Sequence, residues 1–186
     1  MNKYFASVLL LLATMMANAE GQATRRLVQP RETAGELKLT ELQNKDDLFA
    51  KFSGETWVNG TFVARWPGGA AAKAYKTPDY LLVPNSASIS KLPYFVISDP
   101  TFKNSYKIRV IEILNGEDAL RLAFKNEAVT KILERKTNSV RVTGRFLIQG
   151  YVVGVECDAP WARANIVKAD LPDQLALVHR KVEEGC

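Results

Sequence analysis

The chain has 186 residues, with 25 Lys and Arg against 20 Asp and Glu, a formal net charge of +5, and only one histidine and two cysteines. That length admits one ordinary domain with a real core. One histidine and two separated cysteines cannot fill a usual zinc site, and the mild excess of positive charge lacks the single basic face of a dedicated nucleic-acid binder.

Residues 1–19 read as a cleavable secretory signal. Lys3 supplies the positive start, residues 6–16 an apolar stretch rich in Leu and Met, and Ala17-Asn18-Ala19 the small residues that a signal peptidase reads. The apolar stretch is shorter than the roughly 20 residues that span a bilayer, so no transmembrane segment is expected after cleavage before Glu20. The mature product is expected in the periplasm or outside the cell. Cys157 and Cys186 both survive processing, and an even pair in an exported chain reads as one disulfide, closing a loop of about 30 residues and worth roughly 3.5 kcal/mol on the chain-entropy model. The competing reading makes Cys157 a reactive thiol, with Asp158 beside it and His179 as base.

Residues 20–35 are polar and Arg-rich without an apolar period, which predicts a mobile leader. Asn44, with Asp46 and Asp47 after it, is expected to cap a short helix through Lys51 that Gly54 follows. Residues 56–66 alternate around Asn59-Gly60, as a strand bent at a glycine or a tight hairpin, and the bent strand is preferred. Residues 67–105 carry five prolines and two short apolar runs, at 80–83 and 94–97, and read as a partly ordered insertion.

Two alternating runs, 107–114 and 117–124, flank Asn115-Gly116 and predict a hairpin on a type I′ turn. Ile111, Ile113, Leu120, Leu122 and Phe124 would face the core, with Glu112 and Arg121 as diagonal neighbours outside. Asn126 is expected to cap a helix through about Lys136, whose Val129, Ile132 and Leu133 form one stripe. A strand bent at Gly144 follows, then another after Gly150 that breaks at Asp158-Ala159-Pro160 and resumes through Val167. A C-terminal helix is expected over 170–186.

Strand, hairpin, helix, strand, strand is the order left when the insertion is set aside, and Val58-Asn59-Gly60-Thr61-Phe62 matches Val142-Thr143-Gly144-Arg145-Phe146 as V-x-G-x-F. From residue 55 to 169 the chain resembles the OB-fold, a five-stranded Greek-key barrel with a helix before its fourth strand, and small exported bacterial OB-like modules in particular. A single mainly β domain over 36–169 is therefore expected, with a small open β-sandwich or SH3-like roll as the alternative. The resemblance implies binding at the outer face of the hairpin, with Tyr106, Glu112 and Arg121, while Trp66 and Trp161 offer either core packing or a stacking surface. A noncatalytic module without metal or cofactor, binding an envelope protein or polymer, is the leading expectation. The thiol enzyme is one rival. An anionic-polymer or single-strand binder using Arg141, Arg145 and Arg121 is the other, and nucleic acid is the less expected partner.

Overall fold

The computed structural model describes residues 24–29, 36–43, 48–68, 74–98, 108–156 and 159–172. The protein is mainly β. Its strands are β1 (Thr24–Val28), β2 (Leu37–Gln43), β3 (Leu48–Arg65), β4 (Asp79–Pro84), β5 (Tyr94–Ser98), β6 (Ile111–Ile113), β7 (Ser139–Glu156) and β8 (Ala159–Asp170). Among the described residues three helices join them: α1 (Ser86–Ile89) after β4, then α2 (Gly116–Ala123) and α3 (Asn126–Leu133) between β6 and β7. Strands β1 and β5 make a two-stranded antiparallel sheet, and the other six make the main sheet.

Strand β3 organises the main sheet because its period-2 pattern holds on both sides of Gly54, an exposed position at φ +92° where the pairing with β7 shifts register. Leu48, Ala50, Phe52, Thr56, Val58, Gly60, Phe62 and Ala64 are buried, all on one side of the pleat. Its first part pairs with β2 and its last part with β4, while its opposite edge pairs with β7 from Leu48↔Val155 to Arg65↔Ser139. Strand β4 pairs in turn with β6, β6 runs parallel to β8, and β8 returns antiparallel to β7. In β7 the buried side is carried by Val140, Val142, Phe146 and Ile148, then by Tyr151, Val153 and Val155. The parity changes at Gly150, whose φ of +61° and the register shift between Gln149 and Val152 mark a bulge. One bulged strand therefore replaces the two strands expected around Gly150.

The core is aromatic at its centre, with Phe62 6.1 Å from Phe146 and 6.3 Å from Phe124 between ring centroids. Tyr151 is fully buried against Phe52, and its hydroxyl donates to the Pro93 carbonyl at 2.8 Å. Burial pushes the Tyr151 phenol well above its ordinary pKa.

Several expectations are corrected. The hairpin at Asn115-Gly116 does not form: residues 116–123 are helical. Their Ala, Leu, Glu and Arg content favours a helix, and Ala119, Leu120 and Ala123 bury at helical spacing while Leu122 is 48% exposed. Asn115 has φ −92°, whereas a type I′ turn needs positive φ. Its side-chain amide instead clasps β8, donating to the Ile166 carbonyl at 2.8 Å and accepting from the Ile166 N–H at 2.9 Å.

The helix expected over 44–51 is also overturned where it is described, since Leu48, Ala50 and Phe52 alternate inward as strand. Residues 24–28, assigned to a mobile leader, form β1 against β5. Residues 67–105 are less of an insertion than expected, because β4 belongs to the main sheet. Strand β8 continues to Asp170, where the C-terminal helix was to start, Leu171 and Pro172 are not helical, and residues 173–186 of that expected helix lie outside the described residues. The helix after Phe124 is present as α3, with Lys125 rather than Asn126 at the cap position.

Candidate functional site

Cys157, Asp158, His179 and Cys186 lie outside the described residues, as do the signal segment 1–19 and Tyr106. The other residues singled out in the sequence are placed, and they do not converge. Trp66 follows β3 and is half-buried. Its indole N–H donates to the Ile132 carbonyl at 2.7 Å, and the Arg135 guanidinium lies over the ring at 3.9 Å. Trp66 thus fastens the end of β3 to α3. Arg135 holds this position from φ +57° and also donates to the Tyr75 carbonyl.

Trp161 lies across Gly154 on β7, where a Cβ would fall 2.4 Å from its ring. Arg163 covers it at 4.8 Å and also reaches across the parallel pair to Glu112, Nε to Oε2 at 2.7 Å. Glu112 therefore meets Arg163 rather than Arg121. Formation of α2 moves Arg121 onto a helix, where its charge acts on Tyr80. Arg141 and Arg145 are exposed on β7, with Arg145 4.9 Å over the Trp57 ring and 3.7 Å from Asp170.

Two concave places stand out on this surface. The first is a cleft of about 710 Å³ where β4, β6 and the start of α2 meet. Its lining joins the exposed Tyr75 and Leu114 to the carboxyl groups of Asp79, Glu112, Glu117 and Asp118. Glu117 and Asp118 sit in the first turn of α2, where the positive end of the helix favours them. Tyr80 also lines it, and its buried hydroxyl has no hydrogen-bond partner among the described residues. Burial, then the Glu117 carboxylate, push that phenol up to about 12, and Arg121 acts in the opposite direction. The sequence reading found Glu112 but missed the cleft, because Tyr75, Tyr80 and Glu117 approach it only once β4 and α2 have formed.

The second is a groove of about 690 Å³ over the crossing of the two V-x-G-x-F segments. They pair with each other antiparallel: Val58 opposite Phe146, Gly60 opposite Gly144, Phe62 opposite Val142. Each glycine lies at an inward-facing position and admits a neighbouring strand. A Cβ at Gly60 would stand 2.4 Å from the Val83 carbonyl oxygen, and one at Gly144 2.9 Å from that of Asp170. Outside the crossing, the Thr61 and Thr143 hydroxyls share a 2.9 Å hydrogen bond.

Among the described residues no group of three or more His, Cys, Asp and Glu is placed to hold a metal ion, and no helix is long and apolar enough to cross a membrane. No known protein family, curated protein or solved structure matches the chain.

Proposed function

We propose that this chain is an exported, noncatalytic binding module, built on an OB-like barrel, that engages an envelope protein or polymer in the periplasm or outside the cell. The barrel reading is supported by the round of pairings that leads from β3 through β4, β6, β8 and β7 back to β3. Its one parallel step, β6 with β8, and the helices between β6 and β7 also suit that architecture.

The observation that carries binding is the cleft beside Glu112. Exposed aromatic and apolar surface sits there with Glu117 and Asp118, while the other two carboxyl groups, Asp79 and Glu112, face Arg65 and Arg163, on a chain that is net positive. Such a lining favours a partner segment that brings both apolar and basic side chains, and disfavours polyanions. An envelope protein with a basic segment is the partner that fits.

A photo-crosslinking amino acid in place of Tyr75, in protein exported by the producing cell, tests this. The expected result is one discrete adduct in the exported fraction, lost when Glu117 and Asp118 are both replaced by Lys. No adduct, or one indifferent to the charge reversal, would overturn the reading.

A further inference from the structure

We infer that the groove over the Gly60–Gly144 crossing is a second binding site, and that its ligand class is neutral carbohydrate. The groove shares no lining residue with the cleft at Tyr75. Its volume of about 690 Å³ is that of a small-ligand site, within the usual range of about 300–1,000 Å³.

The lining decides the class. Asn59, Thr61 and Thr143 present an amide and two hydroxyls, groups that both donate and accept. The two hydroxyls use one proton between them in their mutual 2.9 Å bond, which leaves one proton to donate and lone pairs to accept. Val83, 40% exposed, supplies an apolar wall beside them. A sugar ring has this same division, with hydroxyls around its rim and C–H groups on its face.

Other ligands fit less well. An anion would find one cation, Arg145, already 3.7 Å from Asp170 and laid over Trp57. A cation would find only Asp170, facing Arg145. An extended peptide would need a free strand edge. On β3 there is none, because Gly60 and Thr61 are paired with β4 on one side and β7 on the other, and the second edge of β7, unpaired up to Gly144 among the described residues, is met there by Asp170 and Leu171. A wholly apolar ligand would strip water from the Thr and Asn groups and return nothing.

Titration of isotope-labelled mature protein with chitohexaose, cellohexaose and maltohexaose, followed by amide NMR, tests the assignment, with polyphosphate as the charged control. At least one hexasaccharide should give saturable shifts centred on Asn59, Thr61 and Thr143. The double variant Thr61→Val with Thr143→Val keeps β-branched side chains at one half-buried and one exposed strand position, and its own spectrum reports whether it folds. Its affinity should fall roughly tenfold.

Binding to the soluble hexasaccharide alone would support a free oligosaccharide as ligand, and binding to the matching insoluble polymer as well would support a polymer. The inference is overturned if no hexasaccharide shifts these amides, if polyphosphate shifts them at lower concentration, or if the folded double variant binds as tightly. None of these results bears on the crosslink at Tyr75, so the two sites stand or fall separately.

Discussion

Tyr80 concentrates the chemistry of the cleft in one side chain. Its hydroxyl is buried without a partner among the described residues, and its pKa is pushed up to about 12 from the ordinary 10.0. Below pH 10 the phenol is protonated both folded and unfolded, so it adds no pH dependence there. Between 10 and 12 the unfolded chain loses this proton while the folded protein keeps it, and stability therefore falls as pH rises. Tyr151 acts in the same direction, being fully buried. Urea midpoints for Tyr80→Phe should match or exceed the parent at neutral pH, by about 1 kcal/mol where the unpartnered hydroxyl is removed. Above pH 10 they should decline less steeply than the parent, with Tyr151 maintaining the remaining slope. A variant that loses stability at neutral pH would mean the hydroxyl has a partner.

Among the elements, α2 best separates what the sequence made legible from what it did not. Leu120, Leu122 and Phe124 alternate, and Asn115-Gly116 is a favoured hairpin turn, so the local pattern pointed to two strands. The same residues also satisfy a helix, with Ala119, Leu120 and Ala123 on one side. A short apolar run is compatible with both periods, and the choice rests on distant partners. The deciding contact comes from β8: Ile166 offers its N–H and carbonyl to the Asn115 amide, an arrangement that needs the chain reversed fifty residues later. Asn115→Ala should cost about 1–3 kcal/mol in chemical unfolding, from two lost hydrogen bonds. Asn115→Asp should do no better, because its carboxylate would face the Ile166 carbonyl. The later part of β3 and the first part of β7 were easier to read, since their buried residues alternate, but the start of β3 reads locally as a helix and the bulge at Gly150 makes β7 read as two strands. The chemistry of the groove was half legible: the V-x-G-x-F likeness was visible, but not that its two copies would pair and bring Thr61 to Thr143.

For the molecule as a whole, export and cysteine state are open to one measurement. Intact mass of the exported protein should start at Glu20, with neither Cys157 nor Cys186 alkylated until reductant is added. Two free thiols would remove the disulfide and return Cys157 to consideration as a nucleophile. Trp66, Glu112 and Trp161, expected as one binding face, lie in separate contacts that Arg135 and Arg163 organise. Sequence spacing does not reveal such arginine bridges, which depend on which strands become neighbours.

The pairing of β3 with β7 also bears on how quickly the chain reaches this state. Gly60 must meet Gly144 and Leu48 must meet Val155, so the longest ladder among the described residues joins the early and late thirds of the chain. Contacts so distant along the chain draw their loop-closure entropy before they return any energy, which slows folding and leaves the early strands exposed meanwhile. The sheet cannot be completed until its last strands have been synthesised. Under the export proposed above, that delay would be an advantage, because a pore that passes only extended polypeptide would stall on a finished domain.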